Sequence, residues 1–467
     1  MSELLNVTAG IATSYLKDVA ERHVGGRATR AELMAALGGQ FPETGTEPIE
    51  TIRALARDAD PGVVGSAGPR YFGFVTGGAL PVSVAADWLT SAWDQNGALY
   101  VMSPAVAVLE DIVSAWLLDL LRLPKVASVG FVTGAHMANF TCLAAARHEV
   151  LRREGWNVEE EGLQRAPKLT FFVGGDVHIS VVGGLRMLGF GTREIVRVPA
   201  DDQGRMIPDA LADALASASG PAVVCAQVGN VSSGASDPMD KIGAVAHERG
   251  AWVHVDGAFG LWAAAVPELH DHVAGLADAD SWTTDAHKWL NVPYDSGIAI
   301  VKNPAPHRAA MSLHASYLQR GGDVERSGMD WVPDSSRRGR VIPLYAALRS
   351  LGRSGVQDIV RRNCALARKM ASRLSNAPGV SIRNDVVLNQ VLVRFGDDDR
   401  MTRDVISRVQ ADGMCWAGGA TWKSAHVMRI SISNWSTTDA DIDRSADAIL
   451  RAFSSAQGAV AQGETRA

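Results

Sequence analysis

Four short apolar runs constrain this chain more than anything else in it. They lie at 126–132, 169–173, 222–226 and 251–255. None alternates apolar with polar residues, as a strand with one wet face does; uninterrupted runs suit strands buried on both faces. Each is followed by glycine or polar residues and then by a helical stretch. Strand, turn and helix in that order predict a doubly wound α/β domain with a mostly parallel sheet. Ligands of such a domain bind at the carboxyl ends of the strands.

With 467 residues, the chain has room for a large core and more than one domain. Residues 1–75 read as an N-terminal helical arm with a loop at 41–45. The arm carries too little core to stand alone, so it is expected to pack on the body or on a second subunit. Residues 76–343 are expected to form the large α/β domain. The remaining 344–467 read as a small α+β domain: a long helix to about Leu374, strands at 391–395 and 427–433, and a frayed tail from about Ser454.

A net charge of −6 argues against nucleic acid or an anionic membrane as the main partner. Cys142, Cys225, Cys364 and Cys415 lie far apart and form no metal-binding pattern, so no metal is expected. The N-terminus places acidic residues early and has no cationic segment before an apolar run, unlike a signal peptide. No apolar run approaches membrane-spanning length. The expectation is a reduced, cytoplasmic protein.

Chemistry concentrates in a few segments. Lys288 stands between His287 and Trp289. Partial desolvation lowers a lysine pKa, and a neutral amine attacks an aldehyde. Upstream lies Asp256, in His254-Val255-Asp256-Gly257-Ala258. A lysine that forms an imine and a buried aspartate that keeps a pyridine nitrogen protonated together point to pyridoxal 5'-phosphate (PLP). Two further segments fit. Gly134, Ala135 and His136 follow a strand and open a helix, whose free amides and dipole favour an anion such as a phosphate. A glycine turn there also needs no ligand. His178, after the second apolar run, can stack on a flat ring or simply cap a helix.

These segments carry a family resemblance. Tyr71-Phe72-Gly73-Phe74, the segment around Asp256, and Asp285-Ala286-His287-Lys288-Trp289-Leu290 resemble those of PLP-dependent group II amino-acid decarboxylases. That family has fold type I, with a sheet of the seven-stranded type in its large domain. The resemblance runs from about Arg70 to Arg429. It implies that Lys288 binds PLP covalently, that Asp256 pairs with its ring nitrogen, that Ala258 packs under the ring and that His178 stacks above it. It places His287 and the Gly134, Ala135 and His136 turn near the phosphate, and Asn230 near the cofactor's oxygen substituent. It also implies a homodimer. Two departures stand out: His136-Met137 replaces the hydroxyl and acidic residues common in the turn, and Arg340-Val341-Ile342-Pro343 ends in proline where many relatives have lysine.

The same resemblance places Tyr317 on a mobile loop, where its hydroxyl can deliver a proton to the substrate α-carbon. Relatives with phenylalanine there form aldehydes instead. Decarboxylation of an L-amino acid is therefore expected, with Lys288, Tyr317 and His178 as its catalytic residues. Two other readings share much of this sequence: an aminotransferase or β-hydroxy-amino-acid lyase, and a non-catalytic PLP-fold binding protein. The latter tends to lose the lysine or the ring aspartate, and both are present. Phe74, Val75 and Thr76 are expected to border the substrate pocket, and an apolar pair there favours an aromatic or aliphatic side chain. Arg429 is compatible with either a structural or a site role.

Overall fold

The computed structural model describes residues 1–313 and 325–464. The chain divides into two compact units. One comprises Gly77–Arg368 and Asn384–Val391, the other Met1–Thr76, Lys369–Arg383 and Leu392–Ala467.

The first unit is built on a seven-stranded sheet. Its strands are β1 (Ser128–Val132), β2 (Thr170–Gly174), β3 (Val196–Val198), β4 (Ala222–Gln227), β5 (Trp252–Asp256), β6 (Ser281–Asp285) and β7 (Gly297–Val301), in the order β1-β7-β6-β5-β4-β2-β3. Neighbours from β3 across to β6 run parallel. Only β7 runs the other way, antiparallel to both β6 and β1. The predicted mostly parallel sheet is present, and β1, β2, β4 and β5 coincide with the four apolar runs. Every residue of β1, β4 and β5 is buried, as an uninterrupted apolar run requires.

Three strands of this sheet, β3, β6 and β7, lie outside the four runs; β7 is itself apolar and fully buried, whereas β6 is not apolar. β6 reads Ser-Trp-Thr-Thr-Asp, yet all five residues are buried. Its polar side chains are tolerable because the fold supplies partners for them: Ser281 Oγ accepts from Trp252 Nε1, and Thr283 Oγ1 donates to Cys142 Sγ. The helix Ala135–Arg153 packs on β5, β6 and β7 through small residues such as Ala138, Cys142 and Ala145, which let it approach closely.

A buried ionic knot secures the same unit. Glu110, in the helix Pro104–Leu120, pairs with Arg326 at 2.8 Å and, more closely still, with Arg337. Arg337 also donates to the Gly97 carbonyl, and Arg326 to that of Val129 on β1. Desolvation pulls the Arg337 guanidinium below its ordinary pKa, with Glu110 opposing.

The second unit holds a four-stranded sheet, β10-β11-β9-β8, from β8 (Val380–Ile382), β9 (Gln390–Phe395), β10 (Gly418–Trp422) and β11 (Ala425–Ser431). The segment around Phe72 joins it: Phe72 N–H donates to the Trp416 carbonyl, and the Phe72 carbonyl accepts from Ser431 N–H. The helices Ser2–Asp18, Arg30–Leu37 and Pro48–Ala59 belong to this unit and contain no fully buried residue. Among the described residues the last helix continues past Ser454, running Asp439–Glu464, with Ala456 fully buried. Alanine has the highest helix propensity, and packing adds to it. The helix Val341–Ser375 is interrupted at Gly352, whose φ of 59° lies in the left-handed region.

Candidate active site

Asp256 ends β5, and Asp285 ends the neighbouring parallel β6 three residues before Lys288. Parallel pairing therefore delivers both carboxylates, and Lys288, to the same edge of the sheet. The Asp256 carboxylate is almost wholly buried and well supplied with donors. Its Oδ1 accepts from Ala258 N–H at 3.1 Å. Its Oδ2 accepts from Asn139 Nδ2 at 3.2 Å and lies 3.3 Å from Ser180 Oγ.

Lys288 is largely enclosed. Its Nζ lies 3.1 Å from Asp285 Oδ2, and His287 Nε2 lies 3.5 Å from the same oxygen. His287 Nδ1 accepts from Ser296 N–H, so the neutral ring carries its hydrogen on Nε2, toward Asp285. Burial lowers the His287 pKa, with Asp285 opposing. Tyr294 stacks on this imidazole with centroids 4.3 Å apart. The backbone after Lys288 is pinned by Asn291, itself at φ 57°, whose Oδ1 accepts from Gly78 N–H and whose Nδ2 donates to the Trp289 carbonyl. Gly77 packs against the Lys288 carbonyl so closely that a Cβ would overlap it.

The Gly134 turn faces the lysine segment. A Cβ on Gly134 would come within 3.2 Å of His287 Cε1 and 3.6 Å of Asp285 Oδ1. Gly297 packs against the Gly134 backbone so tightly that a side chain there would overlap it. Gly134 is the N-cap of the helix Ala135–Arg153, and no side chain caps its first turn. The helix therefore begins with free amides beside a space kept open by glycine, and Ala135 adds little bulk. His136 lies over Gly183 of the helix Ile179–Met187.

His178 is the N-cap of that helix. Its Nδ1 accepts from Ser180 N–H at 3.3 Å and lies 2.7 Å from Ser180 Oγ, which leaves the hydrogen of the neutral ring on Nε2. Capping and a site role are thus compatible in one residue. Asn230 is occupied: its Oδ1 accepts from Ser232 N–H and Ser233 N–H, and its Nδ2 donates to the Asp176 carbonyl. It shapes the loop after β4. Tyr317 lies outside the described residues.

Phe74, Val75 and Thr76 belong to the second unit. Phe74 and Val75 have φ of 57° and 64°, left-handed values that cost a non-glycine residue about 1–3 kcal/mol each. Phe74 is exposed and rests on Trp416 at 5.6 Å, whereas Val75 is buried. Arg429, on β11 in that unit, has its pKa lowered by burial.

Residues that sequence reasoning passed over complete the arrangement: Asp285, Asn139, Ser180 and His254. His254 was legible in principle, since it lies two residues before Asp256 on the same face of β5. Asn139 and Ser180 come from helices far away in sequence, and no spacing announces them.

Residues 32–395 match the pyridoxal-dependent decarboxylase conserved domain. The chain belongs to the pyridoxal-dependent decarboxylase family. It is 25% identical over 429 residues to tryptophan decarboxylase 2 of Oryza sativa subsp. japonica, covering 86% of this chain and 85% of that protein. To 4-hydroxyphenylacetaldehyde synthase of Rhodiola rosea it is 26% identical, over 87% of this chain and 86% of that one. Among solved structures it is similar to Oryza sativa TDC with PLP and tryptamine, with a TM-score of 0.91, 22% identity and 97% of each chain covered. The protein is a PLP-dependent carboxy-lyase acting on an amino acid. Of the reactions open to the sequence, decarboxylation is the one this family carries.

The residues present fit PLP. A glycine cradle at an uncapped helix N-terminus suits its phosphate, and a buried carboxylate with donors already on both oxygens suits its ring nitrogen. Lys288 supplies the amine.

Proposed function

We propose that the enzyme removes the α-carboxylate of an aromatic L-amino acid, releasing the amine and CO2. Lys288 is the lysine that holds PLP, Asp256 the partner of the ring nitrogen, and the Gly134, Ala135 and His136 turn with His287 the phosphate site. The observation that carries this reading is the pair of neighbouring strand ends, one presenting a buried Asp256 and the other leading directly into Lys288. An aromatic substrate is supported by the relatives, which include tryptophan, tyrosine and aromatic-L-amino-acid decarboxylases.

When bound, PLP supplies an electron sink for the pair left behind by departing CO2. Asp256 keeps a proton on the ring nitrogen; a carboxylate about 4 Å from that atom, at an effective dielectric near 20, contributes roughly 4 kcal/mol. Lys288 would hold the cofactor through its amine and would supply the same amine for product release. His178, with Nδ1 engaged by Ser180, would stack on the ring. Tyr317 delivers a proton to the α-carbon. The protein's part is orientation and the choice of bond.

A second copy of the chain completes the enzyme as a homodimer. Trp88, Leu89 and Trp93 on the helix Pro81–Trp93 are exposed aromatic and aliphatic side chains that a monomer would leave wet.

Reconstitution with PLP should give a visible absorption band that Lys288→Ala abolishes. CO2 release should be greatest with aromatic amino acids in a panel. Ketoacid or glycine formed without CO2 would overturn the reaction assigned. Tyr317→Phe should move the product from amine toward aldehyde; an unchanged amine yield would remove Tyr317 from its role.

A further inference from the structure

Behind Asp256 lies a line of polar side chains in an otherwise apolar layer. Asn139, His254 and Ser281 are each fully buried, and Trp252 beside them belongs to a cluster that includes Val223, Cys225 and Leu143. Polar groups this deep are costly unless satisfied. Here they satisfy one another: Trp252 Nε1 donates to Ser281 Oγ at 2.9 Å, Ser281 Oγ lies 2.9 Å from His254 Nδ1, and His254 Nε2 lies 2.9 Å from Asn139 Oδ1. Asn139 Nδ2 then donates to Asp256 Oδ2 at 3.2 Å and to Ser180 Oγ at 3.0 Å.

The direction of this line is fixed from its Asp256 end. A carboxylate can only accept, so the Asn139 amino group faces Asp256 and its carbonyl oxygen faces His254. That oxygen takes a donor, so the single hydrogen of the neutral ring lies on Nε2 and Nδ1 accepts from the Ser281 hydroxyl. Trp252, whose indole nitrogen can only donate, meets a lone pair of the same Ser281 oxygen. One amide orientation and one tautomer satisfy every member. Burial pushes the His254 imidazole down to about 4, with Asp256 opposing, so the one-hydrogen form persists at neutral pH. Ser180 is no substitute for Asn139, because its one hydroxyl hydrogen is closer to His178 Nδ1, at 2.7 Å, than to Asp256, at 3.3 Å.

We propose that His254 is a positioning residue for the decarboxylase reaction: its Nε2 hydrogen, directed by Ser281 and Trp252, locks the Asn139 amide so that Asp256 is held in the orientation that grips the ring nitrogen of PLP. The inference rests on Asp256 being the partner of that nitrogen. Without the imidazole donor the buried Asn139 oxygen loses its partner, the amide is no longer fixed from behind, and its hydrogen bond to Asp256 loosens, which weakens the hold on the ring-nitrogen proton. His254 touches neither substrate nor cofactor and acts only through Asn139.

The test uses holoenzyme loaded with PLP labelled with 15N at the ring nitrogen, whose resonance reports protonation of that atom. His254→Phe, close in size but without either nitrogen, should move the resonance toward its unprotonated position. It should lower kcat about ten- to a hundredfold, with KM little changed. His254→Gln, which restores a donor near Nε2, should return both toward wild type. Should His254→Phe not fold, Ser281→Ala frees the tautomer and should give a smaller shift in the same direction. An unmoved resonance in the folded variant overturns the proposal, even where kcat falls, because a purely structural role would spare the ring nitrogen. Asp256→Asn separates the two levels. If it too leaves the resonance in place, the assignment of Asp256 has failed; if it alone moves the resonance, only the role of His254 has.

Discussion

At the scale of single residues, the site is a set of charges and donors whose value depends on burial. Asp256→Asn keeps the shape and removes the charge. At roughly 4 kcal/mol for a carboxylate near a ring nitrogen, kcat should fall on the order of a thousandfold while PLP remains bound through Lys288. Single-turnover CO2 release against the holoenzyme absorbance checks this; a loss under tenfold would remove Asp256 from its assigned role. Lys288 and Asp256 could be picked out of the sequence because few other chemistries need that pair. Asp285 was quoted in the same motif but not recognised, since its work with Lys288 and His287 depends on a strand end, not on a spacing. Asn230 shows the converse. Its side chain is visible in the sequence, but only the fold shows that its Oδ1 accepts from Ser232 and Ser233 after β4 while its Nδ2 donates to the Asp176 carbonyl after β2.

Among secondary-structure elements, composition accounts for part of what was legible; β7, apolar throughout, was passed over all the same. β1, β2, β4 and β5 are apolar enough to be read as buried strands, whereas β6 is not: its serine and threonines lie inside only because neighbouring strands and the helix Ala135–Arg153 receive them. The ionic knot at Glu110 was equally hidden, because its two arginines arrive from more than two hundred residues away. Glu110→Ala would leave Arg337 buried and unpaired, a loss of about 3–5 kcal/mol. Guanidinium denaturation of the apoenzyme should show it as a lower midpoint. A midpoint unchanged from wild type would mean that the knot contributes nothing.

For the molecule as a whole, buried titratable groups set how stability responds to acid. His254 and His307 have pKa values pushed down from 6.5 to about 4 and about 3 by burial. The unfolded chain therefore binds more protons than the folded one below pH 6.5, and stability falls as pH drops from there toward 4. Each such group contributes about 1.4 kcal/mol per pH unit within its window. Asp237, raised by burial to about 7, acts the other way: it stabilises in acid and loses that stability as pH rises through 7. Two histidines against one aspartate leave a net loss on acidification. Urea midpoints at pH 6.5, 5.5 and 4.5 should decrease in that order, and a flat series would refute the sign. The proposed homodimer makes its own prediction at this scale: Trp93→Glu should shift the sedimentation equilibrium toward monomer, and a species unchanged in mass would place the interface elsewhere.

By itself the sequence determined the α/β layer order and the PLP chemistry, because apolar runs and a lysine–aspartate pair are local signals that survive without coordinates; the decarboxylase family came through the resemblance of its motifs. Tertiary structure alone decided which polar residues stand behind Asp256, which carboxylate faces Lys288, and which backbone close-packs against it at Gly77 and Gly134. Those depend on parallel pairing and helix docking, which bring together side chains more than a hundred residues apart, as with Asn139 and His254. Hydrogen-bond direction, too, is a property of the assembled line and not of any residue in it. Asp256, an acceptor-only group at one end, fixes it only once the fold has placed everything from there to Trp252.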